Sequence, residues 1–450
     1  MSVKPASTTS ESNPKLLPLA TLALLALVTV IFRLGLLTYA TYAIVGLFWS
    51  SRWLARVWAE SISVKRECMR KTAEVGQTVP VSVTIQNTGK WPVGWVLVED
   101  LLPREALIHE PPRLRVAGER LQLTMLRSGQ SRSMYFQLQC NRRGYYQIGP
   151  TVVETGDLFG LHRRYRIGVE PDYLLVYPEV LPIEGYEIAS RRPIGEVRLT
   201  HRLFEDPTRI AGVRAYQAGD PLNRVHWRAT ARTGVLHSKV YEASTVAGAT
   251  LLLDFHREAH DPRHEPVRSE LAITAAASLA NCLYQLGHQV GLVTNGRDAA
   301  DRIRSEGFVH DWRTRGAAQS AVQMNDQNDR LRPIVVPTRQ GPDQFRNILE
   351  TLARLELTDG LAFPELVNET DDRLPRDATL VAILPRVTPR DAIALGNLRR
   401  RGYAVTAAIN LYDEYEFASA AGPLIANGVD VRHLKDRDSI RSLCRRFALG

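Results

Sequence analysis

The sequence predicts a multi-domain chain: an all-β unit and an α/β unit, preceded by a transmembrane helical hairpin. Three observations carry this. Two apolar stretches stand near the amino terminus, about 16–32 and 34–50. Short runs alternating apolar and polar residues with period two fill 60–182, the signature of half-buried strands. From Gly248 onward, continuous apolar runs alternate with helical ones. At 450 residues the chain also exceeds what one hydrophobic core supports.

Residues 1–15 are rich in Ser, Thr and Pro and are expected to be disordered. The hairpin is assigned to 16–59. A spanning helix needs about 20 residues, with a floor near 17, so two short spans turning at Arg33 fit the pattern. A cleaved signal peptide fits less well, because its apolar region runs only ~7–15 residues. Trp49, Trp53 and Trp58 stand where interfacial aromatics belong. Lys4 and Lys15 precede the hairpin, Arg52, Arg56, Lys65 and Arg66 follow it, and only Arg33 lies between. Positive charge on both flanks predicts a multi-pass protein of the cytoplasmic membrane with the bulk of the chain in the cytosol. One long tilted helix that exports the remainder is the competing reading.

In 60–182, TVPVSVTIQNTG alternates and ends in a turn, and GWVLVEDLLP, RLQLTML and SMYFQLQCNRRGYYQIG follow at antiparallel spacing. An immunoglobulin-like β-sandwich is the expectation. Trp91, Trp95, Tyr135 and Phe136 are expected in its core or on its sheet faces. A connecting segment, 183–247, carries Pro193 and Pro207 and ends in a distinctive motif at 214–242.

The α/β unit is assigned to 248–450. ATLLLDF and HQVGLVT read as buried strands, with a small-residue helix at 269–286 between them. Helices at 342–357, 388–401 and 439–447 and strands at 379–384 and 403–409 follow. Such alternation implies a doubly wound, parallel sheet covered on both faces. Ligands in such folds bind at the carboxyl ends of the strands, which singles out the loop after Asp254.

The motif reads RAYQAGDPLNRVHWRATARTGVLHSKVYE. Asp220 before Pro221 is an N-cap signal with proline at the first helical position, and Gly234 is a stop. Arg224, Arg228 and Arg232, at i, i+4 and i+8, would form one ridge. Like charges at this spacing repel by ~0.2–0.5 kcal/mol per pair, so the ridge needs acidic partners. Either it clasps the two domains together with Trp227 packed between them, or it receives an acidic partner protein. The position at the domain junction and the apolar bulk of Trp227 favour the clasp.

Arg214-x-Tyr216-x-x-Gly219-Asp220, then Arg224-x-His226-Trp227-Arg228 through Arg232, Lys239 and Glu242, resembles the signature of the bacterial domain-of-unknown-function family 58. Arg143-Gly144-Tyr145 and Gly156-Asp157-Leu158-Phe159-Gly160-Leu161 resemble that family's second landmark. The resemblance implies a sandwich followed by a von Willebrand A-like α/β domain. It also implies a partner, a MoxR-type AAA ATPase, and a role in assembling or maturing client proteins that the sequence does not identify.

The metal site of von Willebrand A domains needs Asp-x-Ser-x-Ser, whose oxygens suit hard cations. Here the run is Asp254-Phe255-His256-Arg257-Glu258, so both hydroxyls are replaced. Asp254, His256, Glu258, His260 and His264 instead form a candidate set for a transition ion, against the plainer reading of a solvated polar loop.

No nucleophile elbow, Walker loop, HExxH or dinucleotide fingerprint is present, and the chain is read as non-enzymatic, without cofactor. Asp220 with His226 makes no more of an acid–base pair than a cap and a packed histidine explain. The four cysteines are scattered without a CxxC pair, which excludes a disulfide scaffold. Fifty-seven basic against 48 acidic residues give a net charge of +9. The excess fits contact with anionic lipid, and without an aromatic stacking platform nucleic acid is not expected. The resulting expectation is a membrane-anchored, cytosol-facing adaptor; the alternative is a metal-dependent ligand-binding or adhesion protein.

Overall fold

The computed structural model describes residues 35–108, 111–183, 205–216, 225–243, 248–306, 331–375 and 378–443. It opens on one helix, Gly35–Ser61, of 27 residues. Ser51, Ala55, Trp58 and Ala59 are buried, the i, i+4, i+7, i+8 stripe of a helix lying on a core. That stripe packs against the sheet edge formed by 151–169, while Arg52 and Glu60 remain in the same helix.

This corrects the expected hairpin. Among the described residues no helix is long and apolar enough to cross a membrane. The stretch expected to end near 50 continues without a break to Ser61, because its second half is an amphipathic docking surface rather than an interfacial flank. Trp58, expected in an aromatic belt, is a core residue at 4% exposure. The transmembrane assignment and the multi-pass cytoplasmic-membrane placement fall with it. The first expected span and the disordered 1–15 lie outside the described residues.

The β-rich unit follows as β1 (Ile62–Cys68), β2 (Thr72–Glu74), β3 (Thr78–Asn87), β4 (Val93–Asp100), β5 (Leu114–Gly118), β6 (Leu121–Leu126), β7 (Ser131–Cys140), β8 (Gly144–Ile148), β9 (Thr151–Gly156), β10 (Arg163–Val169) and β11 (Asp172–Tyr177). They form sheets in the orders β1-β3-β7-β5, β10-β9-β4-β6 and β2-β11-β8. The alternation read from the sequence is realised: Val79, Val81, Val83 and Ile85 of β3 all lie in the core. Each contributes about 1.5–3 kcal/mol relative to exposure. Phe136 is buried as expected, whereas Trp91 and Tyr135 are exposed. Arg66 ties β1 to two other strands, its Nη1 3.1 Å from Asp100 and its Nη2 2.9 Å from Asp172.

A two-stranded antiparallel hairpin, β12 (Glu205–Ala215) with β13 (His237–Ala243), precedes the α/β unit. The latter comprises β14 (Gly248–Leu253), β15 (Gln289–Thr294), β16 (Arg297–Asp298), β17 (Ile334–Arg339), β18 (Leu355–Glu356), β19 (Ala378–Leu384), β20 (Val405–Ile409) and β21 (Asp430–His433). Its main sheet has the order β17-β15-β14-β19-β20-β21. β17 pairs antiparallel with β15 and every other pairing is parallel, so the sheet is mixed at one edge. Helix Val267–Gln285 approaches the sheet closely because Ala272, Ala275, Ala276 and Ala280 are all fully buried on it.

The two units pack together. Helix Pro342–Arg354 lies against β8 and β11 of the β-rich unit. After β11 the chain continues across the α/β unit, where Val180, Leu181 and Ile183 pack on its core. Leu181 N donates to Ser278 Oγ at 2.9 Å, and Arg437 pairs with Glu179. The domain boundary read near residue 182 therefore falls inside a packed strap.

Candidate functional site

The motif residues divide between the hairpin and one short helix. Arg214 pairs in register with Ser238, and Val213 with Lys239. Tyr216 N donates to Leu236 O at 2.9 Å. The helix runs Trp227–Thr233, capped at its start by His226, whose Nδ1 accepts from Ala229 N at 3.0 Å. Gly234 ends it in the left-handed conformation, φ 72°, as glycine at that position should.

This differs from the expected helix in its start. Val225 bridges Ser238 of β13, which sets an extended residue directly ahead of the cap, and the helix begins only at Trp227. Arg228 and Arg232 therefore share it; Gly219, Asp220 and Arg224 lie outside the described residues. The helix buries no residue. Trp227 is 68% exposed. Arg228 and Arg232 are exposed too, and among the described residues neither reaches a carboxylate at ion-pair distance. A clasp would have covered Trp227. Glu242 lies in β13, close to the end of the hairpin.

The loop after β14 gathers its candidate ligands in sequence but spends them separately. Asp254 is 3% exposed; its Oδ1 accepts from Asn295 Nδ2 at 2.8 Å and from His256 N at 3.1 Å. Burial pushes its carboxyl above the usual range, with those two bonds opposing. His256 caps the short turn Arg257–Ala259, accepting from Glu258 N at 3.3 Å. His260 Nδ1 lies 3.0 Å from Glu265, and His264 stacks on Tyr412. Among the described residues no three His, Cys, Asp or Glu side chains are grouped to hold a metal ion.

The same loop forms one wall of a cleft of about 740 Å³ between the two units. The opposite wall is the Arg142–Arg143 turn, of which the sequence singled out only Arg143, as part of the family's second landmark. Arg143 crosses the interface. Its Nη1 donates to Leu352 O at 2.9 Å and Leu355 O at 2.7 Å, carbonyls at the end of helix Pro342–Arg354. A guanidinium there satisfies carbonyls that a helix terminus leaves without donors. Its Nε lies 3.4 Å from Glu270, and its charge sits 5.6 Å from the Phe255 ring centroid.

The second landmark, 156–161, is also structural. The Asp157 carboxylate accepts from the backbone N–H of Phe159 (2.9 Å), Leu161 (3.2 Å) and His162 (2.5 Å). His162 is thereby held against the first helix, its Nδ1 3.0 Å from Ser51 Oγ and its ring 4.5 Å from Phe48.

The family model described as "Protein of unknown function DUF58" matches residues 212–308. The "Uncharacterized protein YeaD" of Bacillus subtilis (strain 168) is 25% identical over 251 residues, which cover 56% of this chain and 60% of that protein. The chain thus spans about three fifths of that relative's length. Among solved structures, the CARDB domain of the PF1109 protein from Pyrococcus furiosus, in complex with di-metal ions, is 14% identical, with a TM-score of 0.17 over 26% of this chain and 91% of that one. The ASH / PapD-like domain of human CEP192 is 16% identical, with a TM-score of 0.17 over 26% and 83%.

Proposed function

This chain is a DUF58-family protein, and we propose that it acts as a non-catalytic interaction module, working with a MoxR-type AAA ATPase in the assembly or maturation of other proteins. One observation carries the reading: the family motif presents Trp227, Arg228 and Arg232 to solvent on a helix that buries nothing. Tryptophan and arginine are the residues that most often anchor protein interfaces, where a central aromatic excludes water and arginine forks meet carboxylates. A short helix stapled at both ends, by His226 and Gly234, presents them with little left to order on binding.

The test uses the purified full-length protein and a purified MoxR-type ATPase. Co-sedimentation with and without ATP should show nucleotide-dependent binding. Binding should fall at least tenfold in the Trp227→Ala/Arg228→Glu/Arg232→Glu variant, whose melting temperature stays that of the unmodified protein. Equal binding by both proteins, or none by either, refutes the reading.

A further inference from the structure

We infer that the cleft between the β-rich and α/β units binds a small, multiply charged anion bearing a phosphoryl group, held by Arg113 and Arg142 with His260 alongside. The cleft's volume, about 740 Å³, falls within the ~300–1,000 Å³ of small-molecule sites. Seven arginines line it against three glutamates, an excess of four positive charges. Five of the seven are already engaged: Arg143 with Glu270 at 3.4 Å, Arg302 with Glu356 through Nε at 2.8 Å, Arg354 with Asp298 at 3.2 Å, and Arg257 and Arg297 in interactions of their own.

Arg113 and Arg142 are placed differently. Backbone bonds hold them together, Arg142 N donating to Arg113 O at 3.3 Å and Asn141 N to the same oxygen at 3.0 Å. Both side chains are half-buried, and among the described residues neither guanidinium has a carboxylate at ion-pair distance. Burial lowers the Arg142 pKa and the charge of Arg113 adds to the effect, while Glu270 opposes it. Two like charges fixed side by side and partly dehydrated are what a doubly charged ligand relieves. Two planar forks also match a phosphoryl group's several oxygens better than a single carboxylate's two.

A second observation points the same way. His260, 4% exposed, lines the cleft, and its Nε2 is buried without a hydrogen-bond partner. Buried polar atoms of this kind are uncommon. With Nδ1–H donated to Glu265, Nε2 is the ring's acceptor, and a protonated phosphoryl oxygen (P–OH) of a ligand would supply its missing donor. Tyr145, stacked on Tyr173 at 5.1 Å with the rings 6° from parallel, adds a flat wall against which an organic body can lie.

Equilibrium dialysis of the full-length protein against labelled inorganic pyrophosphate tests the site, with inorganic phosphate and acetate as competitors. Saturable binding is expected, with pyrophosphate the strongest and acetate the weakest ligand. The Arg113→Gln/Arg142→Gln variant should bind at least tenfold more weakly. No saturation at millimolar pyrophosphate, undiminished binding by a folded variant, or equal competition by acetate overturns the inference. Should that variant not fold, phenylglyoxal modification of the unmodified protein decides. Pyrophosphate must then protect Arg113 and Arg142 while leaving the exposed Arg127 and Arg132 reactive, and equal reactivity at all four overturns the assignment. No ATPase enters these assays, so their outcome is separate from that of the docking test.

Discussion

Replacing Arg143 with methionine keeps most of the side chain's length and removes its charge and donors. The guanidinium donates to Leu352 O at 2.9 Å and to Leu355 O at 2.7 Å, and Arg143 is itself 8% exposed. A hydrogen bond from a charged donor contributes about 1.5–3 kcal/mol, so the two short bonds set a range of about 3–6 kcal/mol. The ion pair to Glu270 adds little, because that carboxylate's side chain is 31% exposed and water takes the arginine's place. Methionine also gains some apolar contact with Phe255. The expected loss is therefore about 3–5 kcal/mol, with Arg143→Lys intermediate because lysine keeps the charge but not the fork. Urea unfolding measures the loss, and amide exchange over 352–357 locates it, since the freed carbonyls belong to that helix end. A loss under about 1 kcal/mol, with exchange there unchanged, would refute the view that Arg143 holds the two units together.

Two further outcomes follow from the same physics. Asp157→Ala leaves three backbone N–H groups without their carboxylate acceptor and should cost about 2–4 kcal/mol. It should also free His162 from Ser51, visible as faster amide exchange in the first helix, and unchanged exchange there would contradict the assigned role. At Glu265, burial raises the carboxyl pKa but hydrogen bonds from His260 and Ser269 outweigh it, leaving it below its ordinary value of 4.5. The unfolded chain therefore takes up a proton first as pH falls. Stability from this group is complete above pH 4.5 and is lost on descent through the folded pKa. Unfolding measured from pH 5.5 downward should show a shallower acid loss in Glu265→Gln than in the unmodified protein, and parallel curves would refute the assignment.

Several strands were legible from their burial pattern alone. Val79, Val81, Val83 and Ile85 announce β3 by period, and the continuous run of β14 announces a strand buried on both faces. The edges were not: β17 and β21 carry weak patterns because only part of each is covered. Helix Glu414–Ala426 was missed because Pro423 lies inside it, a residue that ordinarily argues for a break. The first helix misled for a physical reason. Leu36, Tyr39, Ile44 and Leu47 are exposed, so its apolar character does not report burial, and only the 51, 55, 58, 59 stripe marks what it packs on. At the motif, glycine chemistry located the helix end, whereas Asp220-Pro221 suggested a start that the bridge at Val225 rules out for the helix beginning at Trp227. The cleft was invisible in sequence because Arg113, Arg142 and His260 meet only when two separately patterned units dock.

The strap of Val180, Leu181 and Ile183, together with Arg143 on the last turn of helix Pro342–Arg354, also bears on how this chain attains its fold. Each unit supplies a piece that completes the other. An α/β fragment cut at residue 184 or later would expose an apolar trough and lose the side chain that closes its helix. Synthesis runs from the β-rich unit forward, so strap and arginine are already in place when the α/β sheet assembles upon them. The first unit serves as a template for the second, and circular permutation or domain exchange should fail here where the sequence pattern alone would invite it.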